Sequence, residues 1–125
     1  MNNLPTILFV DDEPINLMLF KVNFKKRFNV VTADSALNGM NQLKENAEIK
    51  VVISDMKMPN MDGIDFILMA KREFPNLPFF ILTGFDITEE ISAALDEKLI
   101  YKYFRKPFNI NEIEFAINEC IDKID

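Results

Sequence analysis

The chain is expected to fold as an α/β protein, a doubly wound parallel sheet with helices on both faces. Short β-branched or aromatic runs alternate with longer stretches of helical period, the rhythm of repeated βα units. Several of these runs are apolar at consecutive positions, as a strand covered by helices on both sides requires. The whole chain has 125 residues, 49% of them hydrophobic and 27% charged. That suits a single domain with its own core rather than a disordered chain.

The strand runs are Ile7-Leu8-Phe9-Val10, Val30-Val31-Thr32, Val51-Val52-Ile53-Ser54, Phe79-Phe80-Ile81-Leu82-Thr83 and the weaker Tyr101-Lys102-Tyr103-Phe104. Five helices fall between and after them. The first has Pro14 where a missing N–H costs nothing, then Ile15, Met18, Leu19 and Val22 as its expected buried stripe. Lys25, Lys26 and Arg27 close it at the negative end of the helix dipole. Ser35 caps a second helix that is expected to bury Leu37, Met40, Leu43 and Ala47. Asp62 caps a third carrying Ile64, Ile67, Leu68 and Phe74 inward and stopping at Pro75. Thr88 opens a short fourth helix. Asn109 with Glu112 resembles a capping box for the last, whose stripe is Ile110, Ile113, Ile117, Cys120 and Ile124. The seven methionines and twelve phenylalanines are read as core filling almost throughout.

Composition excludes much chemistry. Histidine is absent, which removes Ser-His-Asp and Cys-His nucleophiles, His-containing zinc sites and histidine phosphorylation of this chain. Cys120 is the single cysteine and continues an apolar stripe, so it is read as a buried thiol in a reducing compartment. The formal net charge of -6 is the wrong sign for generic attraction to nucleic acid or anionic lipid. No secretory signal and no apolar run near the ~20 residues that span a bilayer is evident, so the expected location is cytoplasmic.

In an open parallel sheet, ligands bind beyond the carboxyl ends of the strands. Those ends carry Asp11-Asp12-Glu13, Asp55, Thr83-Gly84 and Arg105-Lys106-Pro107. With the first and third strands as neighbours, Asp11, Asp12 and Asp55 form a carboxylate cluster whose like charges call for a cation. An all-oxygen donor set suits Mg²⁺. Lys106 supplies a compact positive charge and Thr83 a hydroxyl, both suited to a phosphoryl group. Without His, Cys or an activated Ser, the strongest candidate for a covalent phosphoryl acceptor is a carboxylate, and Asp55 is the central one. Each residue alone reads equally well as a cap, a loop acid or a solvated charge. Their joint occurrence at the ends of strands one, three, four and five is the specific signal.

These residues resemble the receiver domains of bacterial two-component response regulators. The likeness rests on Ile7 to Glu13, on Asp55-Met56-Lys57-Met58-Pro59-Asn60-Met61-Asp62-Gly63, on Thr83-Gly84 and on Tyr103-Phe104-Arg105-Lys106-Pro107-Phe108, and it covers essentially the whole chain. It implies a flavodoxin-like strand order 2-1-3-4-5 in three layers. It implies that Asp55 takes a phosphoryl group from a phosphohistidine of a sensor histidine kinase or histidine phosphotransfer protein. Mg²⁺ would then be held by Asp12, Asp55 and the backbone carbonyl of Lys57, with Asp11 acting through water. Lys106 and Thr83 would bind the phosphoryl oxygens, and Tyr103 would be the aromatic that turns with Thr83 to remodel the face of helix 4, strand 5 and helix 5. That face would meet a downstream effector or a second copy of the chain. The activity implied is self-phosphorylation with slow self-dephosphorylation, not turnover of a substrate.

The chain departs from the family pattern at four places. Gly84 stands where alanine is frequent, and Lys98-Leu99-Ile100 where a Gly-Ala pair is frequent. Lys57 and Phe85 occupy the two positions that tune phosphoryl loss, and neither orients a water. Phe85 is therefore expected to lengthen the life of the aspartyl phosphate. Two other classes stay open: a Mg-dependent phosphatase of haloacid-dehalogenase type, although its nucleophile follows the first strand in an Asp-x-Asp pattern, and a receiver-shaped scaffold that is never phosphorylated.

Overall fold

The computed structural model describes residues 4–84 and 87–124. Its elements run β1 (Thr6–Val10), α1 (Pro14–Phe24), β2 (Asn29–Ala33), α2 (Ala36–Glu45), β3 (Ile49–Asp55), α3 (Gly63–Glu73), β4 (Phe79–Thr83), α4 (Glu89–Asp96), β5 (Lys102–Arg105) and α5 (Ile110–Ile124). All paired strands are parallel, in the order β2-β1-β3-β4-β5. The sequence expectation of a doubly wound (βα)5 sheet therefore holds.

Alternation along each strand divides the core between two faces. Leu8, Val10, Val52, Phe79 and Ile81 pack with α2, α3 and α4. Ile7, Phe9, Val51, Ile53, Phe80, Leu82 and Phe104 pack with α1 and α5, through Phe20, Phe24, Ile113, Ile117 and Cys120. The central residues of β1, β3 and β4 are covered on both faces, and this is why each strand carries at least three consecutive apolar residues.

Four helix starts predicted from single residues are formed as expected. Backbone N–H groups of Asn38, Asp65, Ile91 and Glu112 donate to the side chains of Ser35, Asp62, Thr88 and Asn109, at 2.9 to 3.2 Å. Each bond satisfies one of the donors that a helix start leaves unpaired.

The buried stripes require correction on three helices. On α1, Ile15, Met18, Leu19 and Val22 are exposed by 65%, 58%, 46% and 57%, and the core side is Leu17, Phe20 and Phe24. A count of aliphatic residues favours the wrong face. The rotation is set by rings: Phe20 stacks on Phe9 at 4.1 Å between centroids and tilts against Phe24 and Phe108. Such ring pairs add about 0.5–1.5 kcal/mol each beyond their buried area. On α2, Leu37 is 70% exposed because Ala36, Gly39, Met40 and Leu43 form the inner arc, and Ala47 lies exposed beyond the helix end. On α3, Phe66 takes the core position assigned to Leu68, which is 44% exposed, while Phe74 is half-buried. Met18 and Phe115 are exposed exceptions to the core-filling reading. Cys120 is buried as expected, and burial pushes its thiol pKa up to about 11, which suits an inert core thiol.

Candidate phosphoryl-acceptor site

The carboxyl ends of β1, β3, β4 and β5 lie side by side, and hydrogen bonds beyond the strand ends hold them in register. Asp11 N–H donates to Ala33 O at 3.1 Å, Met56 N–H to Leu82 O at 3.0 Å, and Lys106 N–H to Thr83 O at 2.8 Å. Residues placed by such ladders keep their geometry better than residues on free loops.

Asp11, Asp12 and Asp55 each present a carboxylate oxygen, and these atoms lie within 4.8 Å of one another. Asp11 is fully buried and Asp55 is 5% exposed. Burial raises the pKa of both above the ordinary 3.8, and the neighbouring acid charges add to it. For Asp55 the opposing influence is Lys106, whose Nζ lies 2.6 Å from Asp55 Oδ1. Three acids facing one lysine form an all-oxygen donor set with surplus negative charge, which fits a hard divalent cation.

Thr83 is buried at the end of β4. In the β4–β5 register Thr83 pairs with Arg105 and Ile81 with Tyr103. Side chains two apart on a strand share a face, so Thr83 and Tyr103 both project toward the α4 side, where Tyr103 packs half-buried. Lys57 is exposed in the β3–α3 connection. That connection is closed at its base by Gly63 N–H donating to Met56 O at 2.8 Å, and Asn60 takes φ 70 within it. Gly63 is required there, because a Cβ would meet the Asp55 carbonyl oxygen at 2.4 Å. The Lys106–Pro107 peptide is cis.

The predicted residues Asp11, Asp12, Asp55, Thr83 and Lys106 thus converge on one sheet edge, with Lys57 on the adjoining loop and Tyr103 one step down β5. Phe85 lies outside the described residues. Among the described residues, a Cβ at position 84 would meet Lys106 Cδ at 3.8 Å, an ordinary contact. The sequence reading overlooked Asn16, whose amide donates to Asp11 Oδ2 at 3.2 Å. Its signal was present: it is the one polar side chain between Pro14 and Phe20 in α1.

The five-stranded parallel sheet of order 2-1-3-4-5, with acids, a hydroxyl and a lysine at its carboxyl edge, is a flavodoxin-like α/β fold with a polar cluster where ligands bind in such sheets. The chain belongs to the response regulator receiver domain family, whose model matches residues 7–118. It is similar to sporulation initiation phosphotransferase F of Bacillus subtilis, with 30% identity over 117 residues covering 92% of each chain. The hydrogenase transcriptional regulatory protein HoxA of Cupriavidus necator is 25% identical over 117 residues, covering 94% of this chain and 24% of that protein. The chain spans about a quarter of the length of that and several other curated relatives. Among solved structures, a response regulator receiver domain protein from Clostridium thermocellum shares 34% identity, with a TM-score of 0.89 and 96% of each chain covered. This membership gives no support to the phosphatase alternative.

Proposed function

We propose that this receiver accepts a phosphoryl group on Asp55 from the phosphohistidine of a sensor kinase or histidine phosphotransfer protein. The carrying observation is the buried Asp55 carboxylate, paired with Lys106 and flanked by Asp11 and Asp12. In the transfer an Asp55 oxygen forms the new O–P bond, the N–P bond of the phosphohistidine breaks, and its electron pair returns to the imidazole, which takes up a proton. Asp12, Asp55, the Lys57 carbonyl and, through water, Asp11 would hold a Mg²⁺ ion, which would supply charge neutralisation for that displacement. Lys106 moves from the Asp55 carboxylate to the arriving phosphoryl oxygens, and the Thr83 hydroxyl donates to one of them. Tyr103 follows Thr83 on the same sheet face, and the α4–β5–α5 surface, with exposed Tyr101 and Phe115, passes the change to a downstream protein. The domain works in the cytoplasm and turns over no small substrate.

The donor is met along the outer stripe of α1. Ile15, Met18, Leu19 and Val22 are exposed there, and Leu19 lines a cavity of about 360 Å³ together with Phe108, Ile110, Asp11 and Lys106. A helix presenting its phosphohistidine over that cavity reaches the acceptor edge.

The deciding experiment is incubation with a small phosphodonor and Mg²⁺. Wild type is expected to gain one base-labile phosphoryl group and Asp55→Asn none. Equal labelling of Asp55→Asn removes Asp55 from the role, and a protein that takes no label is a scaffold.

A further inference from the structure

The Asp11 carboxylate is held at both oxygens by donors from different parts of the chain. Oδ1 accepts the Glu13 backbone N–H at 2.9 Å, a turn closed within the β1–α1 connection. Oδ2 accepts the Asn16 side-chain amide at 3.2 Å, and Asn16 stands in the first turn of α1. A carboxylate offers only acceptors, so the Asn16 group facing it must be the NH₂. Rotation about the last side-chain bond of Asp11 would break both contacts together.

α1 itself has little other polar anchorage at this end. Its N-cap, Glu13, makes no side-chain cap hydrogen bond, and the surrounding helix positions are apolar. Asn16 therefore spends its amide on Asp11 rather than on helix capping. Asp11 is fully buried, and a buried carboxylate with one oxygen unheld would be free to turn away from Asp12 and Asp55.

From this geometry we infer that Asn16 is a positioning residue for the divalent cation site, fixing the Asp11 carboxylate so that it faces the oxygens of Asp12 and Asp55. The inference rests on the Mg²⁺ reading given above. Partners that orient ligand groups typically change metal affinity by about 10–100-fold when removed.

The test is direct titration of Mg²⁺ into the full chain by calorimetry, which reads binding and needs no phosphodonor. Asn16→Ala and Asn16→Leu both remove the amide, the second while keeping side-chain bulk. Both are expected to weaken Mg²⁺ binding about tenfold. In an Asp11→Asn background the same substitutions are expected to add no further loss, since the effect passes through Asp11. Unchanged affinity in Asn16→Ala, wild-type affinity in Asn16→Leu, or an equal loss in both backgrounds each overturns the inference. A wild-type chain that binds no Mg²⁺ overturns the metal reading together with it, whereas normal wild-type binding with an unaffected Asn16→Ala overturns this inference alone. Urea unfolding of each variant without Mg²⁺ separates loss of fold from loss of the site.

Discussion

Replacing Gly63 by alanine sets two effects of opposite sign against each other. Helix propensity favours alanine by at most ~1 kcal/mol, and less at a first-turn position such as this. Against it, the new methyl would stand 2.4 Å from the Asp55 carbonyl oxygen, 2.9 Å from Ile81 Cδ1 and 3.1 Å from Met56 Cα. Two of those neighbours are backbone and cannot rotate aside. Relief to an ordinary contact needs a displacement of roughly 1 Å between the start of α3 and the end of β3, at an overpacking cost of about 1–3 kcal/mol. It also stretches the 2.8 Å bond from Gly63 N–H to Met56 O, which closes the β3–α3 connection. Gly63→Ala is therefore expected to be destabilised by about 1–2 kcal/mol, lowering the thermal midpoint by on the order of 5 °C. Because the displaced backbone carries Asp55, a misplacement near 1 Å is expected to slow phosphoryl uptake by roughly 100-fold. Urea unfolding gives the first quantity and the labelling rate with a small phosphodonor gives the second. A Gly63→Ala protein with wild-type midpoint and wild-type rate would refute the argument from close approach.

Three further outcomes are expected. Asp11 and Asp55 have folded-state pKa values raised above 3.8, so their contribution to stability is present below that value and is lost as pH rises through the raised values. Mg²⁺ needs both carboxylates ionised, so the rise in thermal midpoint that it causes should be larger at pH 7 than at pH 4.5, and equal shifts at the two would contradict the assignment of these acids. Lys98 holds φ 60, where a Cβ is unfavourable; Lys98→Gly should raise stability by about 0.5–1 kcal/mol in urea titration, and a loss would mean that the lysine side chain outweighs its backbone. Met18→Asp with Val22→Asp alters only exposed positions of α1, so stability should move by less than about 0.5 kcal/mol per site. Labelling by a small phosphodonor should be retained in that variant while transfer from a phosphohistidine protein slows at least tenfold, and equal rates from the protein donor would remove α1 from the docking surface.

Strand runs and helix caps were legible because they depend on neighbours in sequence: a both-sides-buried strand needs consecutive apolar residues, and a cap reaches only two or three positions. The site was legible for a related reason. Parallel βα topology sends every strand's carboxyl end to one edge, so Asp11, Asp55, Thr83 and Lys106 could be assembled from their places in the runs. The faces of the helices were not. α1 is apolar nearly all round, and the choice between Leu17-Phe20-Phe24 and Ile15-Met18-Leu19-Val22 depends on Phe9 and Phe108, which are distant in sequence.

Taken alone, then, the sequence determined the class of fold, the lack of histidine side chains and the set of polar residues at the carboxyl edge of the sheet, because these follow from composition and local spacing. Only the tertiary structure decided that Asn16 holds Asp11, that Gly63 admits no side chain, and that the aliphatic stripe of α1 faces outward. Each of these is a contact or an exposure set by elements that meet only when the sheet is assembled, and the packing of rings and backbone across that sheet outweighs any preference of a single helix.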